Sequence, residues 1–275
     1  MANILPIEKQ VMAIGALAEG TSIRSIERMM GVHRDTIMRL GVRVGTACEK
    51  VMDSQMRNLD CKQVQVDELW GFIGKKQKQV TAEDAGAFVG DVWTYVAIDA
   101  ETKLVPAYSV GKREYVHTSA FLQDVASRMK NRIQLSTDGL DHYLPAVEDA
   151  FGANVDYGQI VKVFASPQGI DRRRYSAPEV ISTTRKSLMG EPDDRCISTS
   201  YVERQNLTLR MHCRRLARLT NAFSKKIENF RAAIGLHFAY YNYVKMHSSI
   251  RCTPAMAAGV SSRLWTVKDI VELAA

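Results

Sequence analysis

The chain has 275 residues, 46% of them hydrophobic and 24% charged, a length and balance that suit one large globular domain plus a small one. Five scattered cysteines without a Cys-x-x-Cys pair argue against a zinc module or a disulfide framework, and no apolar run is long enough to span a membrane, so a cytoplasmic protein is expected. The net charge of +7 is concentrated near residues 24–43, 172–186 and 204–226, which favours a polyanionic partner such as nucleic acid.

Ile7, Val11, Ile14 and Leu17 recur at helical spacing up to Gly20 and predict a first helix. Thr21 or Ser22 caps a second, with Ile23 and Ile26 on its apolar face, and Gly31 turns the chain into a third that starts near His33 or Arg34. This is helix-turn-helix spacing, in which Arg34 and Arg39 face a major groove and Arg43 reaches a phosphate; a plain three-helix support is the alternative reading. Residues 42–56 continue helical and lead into a second domain, so a DNA-binding unit is expected over 1–60.

From Val64 the composition changes. Val64–Ile73, Trp93–Ile98 and Leu104–Val110 read as an antiparallel meander, with a polar tip over 75–90. A helix from about Thr118, a strand Ile133–Thr137, a helix Tyr143–Phe151 and a strand Val155–Phe164 with a bulge at Gly158 follow. This order predicts an α/β domain over 61–246 with a mixed five-stranded sheet, the fourth strand parallel to the first and beside it. Residues 165–197 are a basic insertion carrying Arg172, Arg173 and Arg174, and Val180–Met189 inside it reads as a small hairpin. Ile227, Phe230, Ile234, Phe238 and Tyr241 mark a late core helix, and 247–275 form a C-terminal extension that covers an edge or mediates self-association.

Ser198–Leu219 contains neither Pro nor Gly and reads as one helix that buries Val202, Leu209, Cys213 and Leu216. Glu203 is its only acid, among Arg204, Arg210, Arg214, Arg215 and Arg218. Two readings stand. One is a metal-holding carboxylate among phosphate-binding arginines; the other is a solvated basic helix in which Glu203 pairs with Arg210. In the predicted sheet, Asp67 in the first strand and Asp138 at the end of the fourth approach each other, and a helix returning over the sheet brings Glu203 to the same point. Three converging carboxylates call for cations, and oxygen donors suit Mg²⁺ or Mn²⁺. Two such ions about 4 Å apart activate a water or a 3′ hydroxyl against a phosphodiester. Glu68 is expected on the opposite face of its strand from Asp67, Asp99 is read as a turn residue and Asp141 as a helix cap.

The runs Val66–Gly74 (Val-Asp-Glu-Leu-Trp-Gly-Phe-Ile-Gly), Ser136–Gly139 (Ser-Thr-Asp-Gly), Tyr201–Arg210 (Tyr-Val-Glu-Arg-Gln-Asn-Leu-Thr-Leu-Arg) and Ala222–Lys226 (Ala-Phe-Ser-Lys-Lys), in this order, resemble the DDE transposases of the insertion-sequence-one type. The resemblance implies a ribonuclease H-like core that cuts element ends and joins their 3′ hydroxyls to target DNA. It implies Asp67, Asp138 and Glu203 as catalytic metal ligands for Mg²⁺ or Mn²⁺, two ions per site, with Arg210 on phosphate. Arg204 and Arg214 join the DNA-binding set. The partners it implies are terminal inverted repeats and target DNA, handled by a homodimer or higher oligomer without a membrane. Two rivals remain: a helix-turn-helix regulator that is not an enzyme, and a metal-dependent nuclease that does not transpose.

Overall fold

The computed structural model describes residues 5–165, 180–217 and 220–275. Arg172, Arg173, Arg174 and Arg218 lie outside the described residues.

Three helices open the chain: α1 (Ile7–Ala18), α2 (Ile23–Met30) and α3 (Arg34–Gln55). The Ser22 hydroxyl accepts from the Ser25 N–H at 3.1 Å and caps α2, and Gly31 closes it in the left-handed conformation at φ +64°. The helix expected to start near His33 or Arg34 and to continue over 42–56 is one rod of 22 residues. No residue in it forbids helix, and its glycines admit a neighbour instead: α3 packs along α7 (Ile227–Ala239), with their backbones in contact at Gly45.

The sheet is built from β1 (Gln63–Ile73), β2 (Gly90–Asp99), β3 (Ala107–Gly111), β4 (Ile133–Thr137), β5 (Val155–Phe164) and β6 (Val180–Met189), in the order β3-β2-β1-β4-β5-β6. Among the described residues it has six strands, not five. The run Val180–Met189 has no Gly, Pro, Asn or Asp with which to fold back on itself, and it lies as a single strand antiparallel to β5. A register shift at Tyr157/Gly158 marks the expected bulge. The third strand starts three residues later than the meander pattern implies, because the side chain of Asn242 takes both the N–H (3.1 Å) and the carbonyl (2.9 Å) of Val105. Strand β4 is parallel to β1 and beside it, paired from Gln63↔Gln134 to Gln65↔Ser136.

Helices α4 (Tyr115–Arg128) and α5 (Tyr143–Phe151) pack on each other, and α6 (Ser200–His212) crosses β1 and β2. The helix expected over 198–219 ends at His212. Cys213 is extended (φ −95°, ψ 99°), and a 3-10 turn over Arg214–Leu216 drives Leu216 into the core, where its Cδ2 fills the space above Gly71. Burial of Val202, Leu209, Cys213 and Leu216 is as expected, but the last two are buried by the turn and not by the helix. After α7, a wide turn over Tyr240–Val244 leads to α8 (Pro254–Ala257) and α9 (Val267–Glu272). Helix α9 rests on α1, and Trp265 stacks on Tyr243 with ring centroids 4.4 Å apart, so the C-terminal residues close the N-terminal helices against the body. Among the described residues, no helix is long and apolar enough to cross a membrane.

Candidate functional site

The β1–β4 ladder stops at Gln65↔Ser136, and β4 itself ends at Thr137. Beyond that point, among the described residues, no strand pairs with this edge of β1. Asp138 occupies the turn there, with its Oδ1 accepting from the Leu140 N–H at 3.1 Å. Asp67 lies two residues beyond the last paired position of β1, so the two carboxylates come together at the middle of the sheet. Asp67, Glu68 and Asp138 each offer an oxygen within 4.8 Å of the others.

Glu68 is a correction. Alternation along β1 was expected to send it away from Asp67, yet its carboxylate joins the cluster, where β1 stays paired with β2 but has run past the end of its pairing with β4. Its side chain is 2% exposed and doubly held: the Arg113 guanidinium pairs with Oε1 at 2.5 Å, and the buried Tyr143 hydroxyl on α5 donates to Oε2 at 2.7 Å. Arg113 in turn lies over the Trp93 ring at 4.6 Å.

Helix α6 is clamped over this cluster by two amides. Gln65 Oε1 accepts from the N–H groups of Tyr201 (2.8 Å) and Val202 (3.2 Å), filling the role of the missing helix cap, since Thr199 makes no side-chain cap bond. Asn206 Nδ2 donates to Asp67 Oδ2 at 2.8 Å. Gln65 is 3% exposed, so Gln65→Leu strands two N–H groups in the interior. We expect it to cost about 1–3 kcal/mol in urea unfolding. An unchanged midpoint would show that α6 is held by its apolar face alone.

Glu203 stands one helical turn before Asn206, outside the three-residue cluster. Its side chain is 44% exposed, pairs with Lys162 on β5 and accepts from the Thr199 hydroxyl at 2.6 Å. The charge of Glu203 nevertheless acts on Asp138.

The electrostatics are those of desolvated carboxylates that the charges of Arg113 and Lys162 only partly offset. Burial, then the Glu68 and Asp138 carboxylates, push Asp67 up to about 7, against the Glu68 N–H and the Asn206 amide. Burial also raises Glu68, with Asp138 adding to it, and burial raises Asp138. Burial holds the Tyr143 phenol protonated, so it donates to Glu68. A folded-state value near 7, above 3.8, means that folded Asp67 keeps a proton between about pH 4 and pH 7 that the unfolded chain has released. Stability in chelator therefore falls as pH rises through that window, and the loss is complete above pH 7. Asp67→Asn should flatten this fall and be more stable than wild type at pH 8 by on the order of 2 kcal/mol. Denaturation midpoints at pH 5 and pH 8 check it; equal pH slopes in the two proteins would contradict it.

The other acids behave locally. Asp99 accepts from the Thr102 N–H (2.9 Å) and hydroxyl (2.6 Å) in its turn, as expected. Asp141 does not cap α5; the N-cap position belongs to His142, which makes no cap bond, because the Asp138–Leu140 contact already sets the turn. His212 ties the end of α6 to Glu19 and Lys245, at 3.3 Å each.

Of the basic residues expected at DNA, Arg34, Arg39 and Arg43 are exposed on α3, with Arg43 also donating to Gln10 at 3.1 Å. Arg204 is exposed on α6, and Arg214 is exposed on the separate turn that follows. Arg210 is half-buried and directed at the carbonyls of Trp70 (3.4 Å) and Leu216 (3.5 Å). A cavity of about 540 Å³ lies away from the acidic cluster, between the N-terminal helices, the end of α6 and α7, with Leu17, Met38, His212, Phe223 and His237 among its walls.

Sequence reasoning missed Gln65, Asn206 and Arg113. Asn206 had a readable signal, since it shares the face of Glu203 three residues on. Gln65 and Arg113 act across more than 40 residues of chain and had none.

The donor set suits a hard divalent cation: carboxylate oxygens, close together and desolvated, on three residues of fixed backbone.

Comparison with known proteins adds a family match. The family model described as IS1 transposase matches residues 192–244, which run from the segment before α6 to the end of the turn after α7. A search of the curated proteins finds no match. Among solved structures, the chain is similar to a Mos1 transposase paired-end complex with left transposon end, at 16% identity and a TM-score of 0.24, covering 57% of this chain and 60% of that one. It is also similar to a piggyBac transposase synaptic complex with hairpin DNA, at 10% identity and a TM-score of 0.39, covering 98% of this chain and 69% of that one. The chain thus spans less than two thirds of the Mos1 chain. The resemblance to the DDE transposases of the insertion-sequence-one type is therefore carried by a family match over the stretch that holds α6, Glu203 and Arg210.

Proposed function

We propose that this chain is a DNA transposase that cleaves transposon ends and joins their 3′ hydroxyls to target DNA. The observation that carries the reading is the meeting of Asp67 on β1 with Asp138 just past the end of the parallel β4, under α6, the helix that bears Glu203 and lies within the IS1 transposase match. The strand order, three antiparallel strands followed by two parallel crossovers, supports a ribonuclease H-like core.

In this reading Asp67, Asp138 and Glu203 are the catalytic carboxylates and hold Mg²⁺ or Mn²⁺, two ions per site. Bound there, such cations would lower the pKa of a water or 3′ hydroxyl at neutral pH and offset charge on the phosphodiester. The residues of the chain do the positioning. Asn206 fixes the Asp67 carboxylate, Gln65 fixes the start of α6, and Arg113 with Tyr143 keeps Glu68 from turning away. Residues 1–60 form the DNA-binding domain, with Arg34, Arg39 and Arg43 on the duplex. Residues 61–246 form the catalytic domain, whose basic insertion at 165–197, Arg172–Arg174 included, grips DNA together with Arg204, Arg210 and Arg214. Residues 247–275 are the C-terminal extension. The long α3 joins the two functions, since one helix carries Arg34 at one end and packs on the core at the other. Two element ends must be held together, so the working form is a homodimer or larger, acting in the cytoplasm.

Incubation with labelled duplex carrying the inverted repeats that flank its gene, in Mg²⁺ or Mn²⁺, tests the reading. Nicked ends together with joined products are expected. Nicks without joining would identify a non-transposing nuclease, and binding without cleavage a regulator.

A further inference from the structure

Glu203 is held unlike the other carboxylates at the site. Asp67 is fixed by Asn206, Asp138 by its own turn, and Glu68 by an arginine and a buried phenol. Glu203 is held by Lys162, a flexible point charge reaching over from β5, and by the Thr199 hydroxyl one turn back on its own helix. The pair is only partly shielded, with Lys162 26% and Glu203 44% exposed, so it is a weak contact that a competing cation can displace. Lys162 also lowers the carboxyl of Asp138 and so lies within electrostatic reach of the cluster itself. Glu203 and Asn206 sit three residues apart on one face of α6, and Asn206 touches Asp67. With the α6 backbone clamped through Gln65 and Asn206, the side chain of Glu203 is the part left to move toward the aspartates.

We propose that Lys162 is a positioning residue that holds Glu203 beside the carboxylate cluster in the cation-free protein and releases it when a divalent cation is bound by Asp67 and Asp138. Lys162 thereby serves as the counter-ion of Glu203, as Arg113 does for Glu68, and the third catalytic carboxylate enters by exchange. This rests on the reading of the cluster as a cation site.

The test is calorimetric titration of Mn²⁺ into the metal-free full-length protein, comparing wild type with Lys162→Met, Lys162→Arg, Glu203→Gln and the Lys162→Met/Glu203→Gln double variant. Removing the competitor should tighten Mn²⁺ binding about two- to fivefold in Lys162→Met, the range expected for a half-exposed ion pair. Lys162→Arg keeps the pair and should stay at wild-type affinity or below. In the Glu203→Gln background, Lys162→Met should bring no gain. Equal affinity in wild type and Lys162→Met would overturn the exchange. So would the same gain with and without Glu203, which would mean that Lys162 only repels the cation from a distance. Asp67→Asn separates the two levels: undiminished Mn²⁺ binding in that variant would remove the cation site itself, and the exchange with it.

Discussion

Asp138→Asn is expected to lower DNA cleavage and joining by ~10³-fold or more while leaving DNA binding intact. The substitution keeps the shape of the side chain and its bond from the Leu140 N–H, and removes only the charge. A cation held by such a group contributes several kcal/mol to the charge developing on phosphate, and each 1.36 kcal/mol is about tenfold in rate. Asp67→Asn should do the same, because its carboxylate is the one most strongly destabilised without a cation. Asp99→Asn is the control: it is also buried, but it lies outside the cluster with its Oδ2 taking both Thr102 bonds, and cleavage should survive. Gel quantification of nicked and joined products decides it. A retained rate in Asp138→Asn would remove this residue from the chemistry.

Gly45→Ala is expected to destabilise the protein by about 2–4 kcal/mol, against the gain of about 1 kcal/mol that alanine ordinarily brings to a helix interior. A Cβ at Gly45 would lie 2.0 Å from the carbonyl oxygen and 2.6 Å from the carbonyl carbon of Ala232, and a Cβ at Gly235 would lie 2.7 Å from the Gly45 carbonyl oxygen. These are backbone atoms of two packed helices, so relief requires α3 and α7 to move apart along a contact that joins the N-terminal helices to the body. Gly41→Ala, on the same helix, meets the Leu17 Cδ1 at 3.1 Å, the movable end of a side chain, and should cost well under half as much. Urea midpoints of the two variants provide the comparison. Equal midpoints would mean that the close approach at Gly45 is not needed for stability.

Where local pattern decides structure, reading and structure agree to the residue. Strand Ile133–Thr137 and helix Tyr143–Phe151 have the expected bounds, since each is a short periodic run between turn residues. Where a long-range contact decides, they part. The reading of Ser198–Leu219 as one helix missed the demand of Leu216 for the space above Gly71, a residue far away in the chain. Val180–Met189 was visibly β-forming, but its partner, the outer edge of β5, could not be read from its own composition. At the site, the parallel placement of the first and fourth strands was legible in the element order, and with it the approach of Asp67 and Asp138. The arrival of Glu68 was not. Alternation assumes a continuous sheet on both sides of a strand, and where the carboxylates meet β1 is paired with β2 on one side but no longer with β4 on the other. The partner of Glu203 was equally hidden: both sequence readings placed a cation beside it, a metal or Arg210, and the ion pair formed is with Lys162 from β5.

The most direct measurement of the central claim, that these carboxylates form a divalent-cation centre, is anomalous diffraction from crystals grown with Mn²⁺. A peak within coordination distance of both Asp67 and Asp138 is the expected result. Manganese found only at surface carboxylates, with Asp67 and Asp138 still in contact with each other, would contradict it.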